Sequence, residues 1–241
     1  MKKILLLILA SILVAVMGYS GFQLLDINRA YEQEAEIHNR LMSFQPTLSA
    51  DVPSGANQKI IDLVAKYPDA VGWLTVPGTK INYPFVQGRD NDYYLHHDLD
   101  GQYRVAGSLF IDYRSSKDFS DSNTLIFGHH MKNGSMFASL QDFEDGAFFN
   151  AHRSGTIFLS DKTLKIDFFA FAVVKPDDAM VFRPGDLTDD DLTALVAHLK
   201  STSRHFRDVD LGPGDQIVTL STCNYELKDG RGVLVGKLSG V

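Results

Sequence analysis

The chain has 241 residues and a formal net charge of −7 at pH 7, because 30 Asp and Glu outnumber 23 Lys and Arg. The sequence contains no basic stripe, so nucleic acid is not an expected partner. The single cysteine, Cys223, excludes a disulfide bond within the chain. This thiol is therefore buried and inert, bridged to another chain, or reactive.

The chain begins with an apolar segment. Lys2 and Lys3 precede an uncharged run from Ile4 to Leu25. As a helix this run is about 33 Å long, enough to cross a hydrocarbon core of about 30 Å. The lysines favour a cytoplasmic N-terminus, which places the rest of the chain outside the cell. We predict that residues 1–25 are a retained membrane anchor. A cleaved signal peptide is the alternative.

A polar segment follows the apolar run. Apolar residues recur at loosely helical spacing until Pro46, and the turn-rich stretch DVPSGAN comes next. We predict that residues 26–57 form a helical stalk and a hinge. The remaining residues, 58–241, are expected to form one folded domain.

This domain is predicted to open with a short helix and to continue as strands. Ile60, Ile61 and Val64 share one face of the helix, and Pro68 follows its end. Short β-type runs then alternate with Gly, Pro, Asn and Asp turns, which favours a closed barrel over alternating strands and helices. Two runs lie within 71–88, split at Pro77, and the others are 106–114, 123–130, 155–161, 163–176, 216–223 and 232–238.

One longer helix is predicted late in the chain. Thr188 is its expected N-cap, with Asp191 three residues on. His198 on this helix is expected to be a solvated surface residue. The apolar stripe of the helix indicates core packing, and its members are Leu192, Leu195, Val196 and Leu199.

The cysteine stands at the end of an apolar strand. A thiol is a weak nucleophile until a neighbour helps to ionise it, so a reactive Cys223 needs a histidine or a cation nearby. His129 and His130 end the strand TLIFG, as Cys223 ends IVTLST. If these two strands are neighbours, both strand ends lie at the same rim of the barrel. The alternative is that the two histidines belong to a turn that caps the strand.

An arginine follows the cysteine on the next predicted strand. Arg231 opens GVLVGKL, and a hairpin across NYELKDG would return it close to Cys223. Because a guanidinium stays protonated, Arg231 cannot act as a base, but it can donate to a developing oxyanion. The alternative is a solvated charge at a strand edge.

Together these motifs resemble the sortases, specifically class B. TLSTC with Arg231 on the next strand is fairly specific, and GHHMKNGSMF, NDYYLHHD and AGSLFIDYR add to it. The resemblance covers most of the chain after the apolar segment. It implies an eight-stranded sortase β-barrel with N-terminal helices, with residues 58–241 as the catalytic domain. The helix near 188–200 corresponds to the long helix that class B enzymes insert between strands six and seven.

The resemblance also implies roles for single residues. His129, rather than His130, corresponds to the catalytic histidine, Cys223 to the nucleophile and Arg231 to the catalytic arginine. Substrate contacts map onto Asn91, Leu95 and Ser221. Asn224 stands where some relatives carry a carboxylate, so it receives no role.

The implied activity is that of a membrane-anchored cysteine transpeptidase on a Gram-positive cell surface. It would cleave an NPxT-like C-terminal sorting motif of secreted proteins after Thr, and link them to the amine of a lipid II-type peptidoglycan precursor. A class B enzyme that joins pilin subunits through a lysine is the alternative. No cofactor or metal ion is expected.

Two non-enzymatic interpretations remain as rivals. The first is a metal-binding surface protein that uses His96, His97, the second histidine pair and Cys223. Adjacent residues on a strand point to opposite faces, so such pairs chelate poorly. The second is a structural surface domain whose cysteine is buried or bridged to another chain.

Overall fold

The computed structural model describes residues 2–47, 56–222 and 230–240. It contains two compact units, Met1–Arg40 and Leu41–Val241. The first is most of helix α1 (Lys2–Leu41), whose large apolar side chains from Ile4 to Ile27 are exposed. Within the described ranges, α1 is the one helix long and apolar enough to span a membrane. Its length and composition fit either an anchor or a signal sequence.

The second unit is built on a closed β-barrel. The strands are β1 (Ala70–Thr75), β2 (Asn82–Val86), β3 (Leu109–Ile111), β4 (Asn123–Gly128), β5 (Ser154–Phe158), β6 (Thr163–Val174), β7 (His205–Phe206), β8 (Ile217–Thr222) and β9 (Arg231–Gly240). Eight of them form a ring in the order β5-β1-β2-β3-β4-β8-β9-β6, and pairing between β5 and β6 closes this ring. The two-residue strand β7 pairs with β6 outside the ring. The predicted eight-stranded barrel is confirmed.

Most strand pairs are antiparallel, but β2–β3 and β4–β8 are parallel. β6 forms one wall of the barrel and separates two apolar clusters. Phe168 and Phe171 of β6 belong to the interior cluster, whereas Phe169 and Ala172 belong to a second cluster on the outer face. A β-bulge between Phe168 and Ala170 adds one residue here, so the two-residue alternation of the strand continues past the bulge displaced by one position.

The short helix before the barrel is α2 (Gln58–Lys66). Asn57 caps it by accepting a hydrogen bond from the backbone N–H of Ile60. The predicted apolar face is partly wrong, because Ile60 and Leu63 are fully buried while Ile61 is 36% exposed. Positions three residues apart lie on the same side of a helix, whereas Ile61 is turned about 100° away from Ile60.

The late helix is α4 (Asp189–Thr202), and it lies in the chain between the sixth and seventh strands of the ring, as predicted. Thr188 and Asp191 form the expected capping box. Leu192, Leu195 and Leu199 are buried in the outer cluster against β6, β8 and β9. The remaining helices are α3 (Gly146–Ala151) and the 3₁₀ turns Met42–Phe44, Tyr93–Leu95 and Ala138–Glu144.

Candidate active site

The parallel pair β4–β8 ends at one rim of the barrel. Gly128 at the end of β4 pairs with Thr222 at the end of β8. His129 follows the first in the chain and Cys223 follows the second. Cys223 itself lies outside the described residues. The strand before His129 and the strand before Cys223 are therefore neighbours, and this was the condition for both residues to follow strand ends at one rim.

The last two strands form the predicted hairpin. β9 is antiparallel to β8, with Ser221 opposite Val233, and its first residue, Arg231, pairs with Val174 on β6. The Oγ1 of Thr222 donates to the carbonyl of Gly232 at 3.5 Å, which ties the two strands together at the rim. The start of β9 therefore lies beside the end of β8, where the chain continues into Cys223.

The two adjacent histidines have different surroundings. The Nε2 of His129 donates a hydrogen bond to the carbonyl oxygen of Leu95 at 2.7 Å, and its ring centroid is 5.9 Å from that of His96. His130 instead forms a backbone bridge with Met136. The Nδ1 of His130 is buried and has no hydrogen-bond partner among the residues that the structure describes.

Arg231 packs on an aromatic ring that sequence reasoning did not identify. Its guanidinium carbon lies 5.7 Å from the ring centroid of Phe182, and that ring is 6.4 Å from the ring of Phe127 on β4. The Nε of Arg231 is buried and lacks a hydrogen-bond partner within the described ranges. Phe182 thus contacts both the strand that precedes His129 and the arginine that opens β9.

Comparison with known proteins identifies the family. A family profile described as the sortase domain matches residues 74–239. Sortase B of Listeria monocytogenes is 36% identical over 192 residues, which are 79% of this chain and 78% of that protein. The chain is a class B sortase. Sortases are cysteine transpeptidases, and the chain is an enzyme of that type.

Solved structures agree with this assignment. The sortase B–substrate complex of Staphylococcus aureus has a TM-score of 0.79 and 28% identity, with 87% of this chain and 98% of that chain covered. A Streptococcus pyogenes class B sortase involved in pilus biogenesis has a TM-score of 0.69 and 36% identity, with 74% of this chain and 97% of that chain covered.

The loop that carries Phe182 in this sortase is held at two points. Gly185 exchanges two backbone hydrogen bonds with Asn123 at the start of β4. The Nε2 of His198 on α4 lies 2.9 Å from a carboxylate oxygen of Asp178. His198 is therefore not the solvated surface residue that the sequence predicted, because the leucine face of α4 packs on the sheet and the ring of His198 then meets this carboxylate. Burial raises the pKa of Asp178, but hydrogen bonds from His198 and from the backbone outweigh burial and hold this pKa below its ordinary value.

The three predicted substrate contacts of the sortase all have internal roles. Asn91 donates from Nδ2 to Asp112 at 2.9 Å and accepts from the backbone N–H of Tyr113 at 3.1 Å. Leu95 accepts the His129 hydrogen bond, and its side chain packs on an apolar cluster. Ser221 is fully buried. Whether any of them also contacts substrate stays a prediction.

Asp112 joins the segment around Asn91 to the end of β3. This buried carboxylate accepts hydrogen bonds from both Nε and Nη2 of Arg114 at 2.8 Å, besides the one from Asn91. Burial raises the pKa of Asp112, but the bonds from Arg114 and Asn91 outweigh burial, so the pKa lies below its ordinary value. The charged form is therefore the one that the folded sortase favours.

We expect Asp112→Asn to lower the free energy of unfolding by about 2 kcal/mol at pH 7, because hydrogen bonds to a charged group are lost. A lowered pKa gives stability that is present above the unfolded pKa of about 3.9 and is lost as pH falls through the folded pKa. The difference between the wild-type protein and the variant should thus be constant from pH 8 to 6 and shrink below about pH 4. Urea unfolding at each pH measures it, with the exposed Asp161→Asn as control. A difference that persists unchanged at low pH would contradict this account.

The described ranges contain no group of three or more His, Cys, Asp or Glu side chains placed to hold a metal ion. His96 and His97 instead contact aromatic rings. The ring of His97 stacks on Tyr93 at a centroid distance of 4.0 Å, and the ring of His96 lies 5.8 Å from that of Tyr103. Together with His129, these residues form an aromatic surface beside the rim.

Proposed function

We propose that this sortase cleaves an NPxT-like sorting motif of secreted proteins after Thr and transfers the new carboxyl end to the amine of a peptidoglycan precursor. The observation that supports this most directly is the register of β4 with β8. It ends the strand before His129 and the strand before Cys223 at the same rim, beside the start of β9 with Arg231. A nucleophile, an acid–base group and a donor to the developing oxyanion are the groups that catalyse acyl transfer, and a fixed cation can supply that donor.

In the first half-reaction, the thiolate of Cys223 attacks the carbonyl carbon of the motif threonine. A carbon–sulfur bond forms, and the carbonyl electron pair moves to oxygen. When this tetrahedral intermediate collapses, the carbon–nitrogen bond breaks, and the imidazolium of His129 gives its proton to the leaving amine. The products are a thioester on Cys223 and a free peptide with a new N-terminus.

In the second half-reaction, an amine attacks the thioester. The new carbon–nitrogen bond forms, neutral His129 accepts the proton of the attacking amine, and the carbon–sulfur bond breaks to restore the thiolate. Water can replace the amine, which gives hydrolysis instead of transfer. Both half-reactions pass through an oxyanion, for which Arg231 is the proposed donor.

We expect Arg231→Ala to lower kcat by about 10²–10³-fold while KM changes little, since its hydrogen bonds are stronger in the transition state than in bound substrate. Arg231→Lys should recover only part of this loss, because one ammonium does not replace a planar fork of donors. Steady-state kinetics on one sorting peptide measure both variants. Arg204→Ala is a control, because its side chain is 61% exposed. An unchanged kcat for Arg231→Ala would end the oxyanion assignment, and a raised KM alone would make Arg231 a substrate anchor.

The chain is further proposed to act at the outer face of the cell membrane. Residues 1–25 would be the anchor, 26–57 the stalk and hinge, and 58–241 the catalytic domain outside the cell. The length and exposed apolar surface of α1 support this arrangement. Carbonate extraction of membranes that contain the full-length chain tests it, since a cleaved and released protein would appear in the soluble fraction.

The second candidate is pilus assembly, in which a pilin lysine replaces the precursor amine. Similarity to a class B sortase involved in pilus biogenesis favours this alternative. A competition assay separates the two proposals. The full-length chain in detergent receives a library of sorting peptides together with a peptidoglycan-stem amine and a lysine-bearing pilin peptide. Mass spectrometry of the products shows which motif is cut and which amine is joined. Selective joining to the pilin lysine would overturn the wall-anchoring proposal.

A further inference from the structure

We propose that Gly107 is a positioning residue that allows the backbone carbonyl of Leu95 to fix the tautomer of His129. The catalytic meaning of this arrangement rests on the proposed acid–base function of His129. The location of the proton on the His129 ring does not depend on that proposed function. The acceptor of the ring proton is a backbone carbonyl of the loop between β2 and β3.

The hydrogen bond determines which ring nitrogen carries the proton. A carbonyl oxygen can only accept, so the 2.7 Å contact from Nε2 of His129 to Leu95 requires the proton on Nε2. In the neutral ring, the lone pair then lies on Nδ1. The other tautomer would set the lone pair of Nε2 against the carbonyl oxygen, which is repulsive. Nδ1 is therefore the nitrogen that takes up and releases the proton in both half-reactions.

Gly107 leaves the space that this carbonyl occupies. Its φ is +56°, in the region that side chains disfavour. A Cβ at position 107 would also lie 2.3 Å from the oxygen of Leu95 and 2.4 Å from the oxygen of Tyr94. Both obstacles are backbone atoms, so no side-chain rotation relieves them. Any other residue at 107 must displace the carbonyl that holds His129.

The rest of the loop holds this carbonyl in place. The backbone N–H of Ser108 donates to Tyr94 at 2.9 Å, and its hydroxyl donates to the carbonyl of His97 at 2.9 Å. The N–H of Arg104 donates to the carbonyl of His96 at 2.8 Å. The carbonyls on both sides of Leu95 are thus tied to the returning half of the loop, so the acceptor is preorganised.

The test measures the ring proton directly. In the full-length chain labelled with ¹⁵N-histidine, ¹H–¹⁵N spectra distinguish the two neutral tautomers, and the signal that disappears in His129→Gln identifies residue 129. We expect wild-type His129 to be the Nε2–H tautomer. In Gly107→Ala we expect a mixture with the Nδ1–H form, together with a fall in kcat of about 10²-fold and little change in KM, since a displacement of about 1 Å has effects of this size.

Gly214→Ala is the matched control, because Gly214 also has positive φ, +81°, and a Cβ there meets nothing within 4 Å. It should keep the wild-type tautomer and kcat. A folded Gly107→Ala with both unchanged would overturn the proposal. If Gly107→Ala does not fold, the wild-type spectrum decides, and an Nδ1–H tautomer there would overturn the proposal as well. The spectrum needs no substrate, so failure of the proposed transpeptidation would be seen separately, as absence of product in the wild-type assay.

Discussion

Cys223→Ala should abolish both peptide cleavage and amine transfer by the full-length chain. Each covalent step of the proposed reaction forms or breaks a bond to the sulfur of this residue, and alanine has no nucleophile to replace it. Loss of a catalytic nucleophile lowers kcat on the order of 10⁶-fold. Mass spectrometry of the wild-type enzyme mixed with a sorting peptide should show the thioester, and the variant should show none.

Thermal unfolding and far-ultraviolet circular dichroism control for folding of this variant, and both should match the wild-type protein. Cleavage by Cys223→Ala at near wild-type rate would remove the assignment of the nucleophile. Labelling of the folded wild-type protein with a thiol reagent separates the remaining interpretations. Rapid reaction is expected of a catalytic thiol, whereas a buried or bridged cysteine would not react.

The second large effect is expected at His129. His129→Ala should lower kcat/KM by about 10²–10⁴-fold, the usual contribution of a positioned acid–base group. His130→Ala should lower it by less than about 10-fold. The adjacent side chains of an extended segment point in opposite directions, and only His129 contacts the Leu95 carbonyl. Kinetics of both variants on one sorting peptide provide the measurement.

The two histidine variants control for each other, because they remove the same side chain from neighbouring positions. His130 has a partly buried ring and its backbone bridges to Met136, so His130→Ala is expected to affect unfolding more than catalysis. The reverse ranking of activities would show that the family correspondence is displaced by one residue. Equal and complete losses in both would indicate that each variant has lost the fold, which the melting temperatures would reveal.

Much of the fold could be predicted from local sequence patterns. The alternation of short β-branched runs with turn residues predicted all eight strands of the ring. The cap at Thr188 and the leucine stripe predicted α4 with its buried face. Local patterns also marked where two strands end, before His129 and before Cys223, but the shared rim was only conditional on these strands being neighbours, which the pairing of β4 with β8 supplies. These features depend on residues close together in the chain.

Features that depend on residues far apart in the chain could not be predicted from the sequence. The Phe182–Arg231 contact joins a loop to the last strand, and no local pattern in DDAMVFRPG distinguishes Phe182 from other apolar residues. The carbonyl of Leu95 carries no side-chain signal, so its contact with His129 was missed although Leu95 itself was singled out. On α2, the sequence offered several apolar residues, and only the position of the barrel determines that Leu63 rather than Ile61 is buried.

The order in which the ring is connected has a consequence for how the chain folds. β8 and β9 lie between β4 and β6, so the ring closes through the last two strands of the chain. Gly128 must find Thr222 more than about 90 positions later, and contacts of such separation slow folding. Until they form, β4 and β6 each expose an unpaired edge, which is prone to aggregate. A newly made chain therefore passes through a vulnerable state in which β4 is paired with β3 but still lacks β8, so the rim proposed as the active site is incomplete.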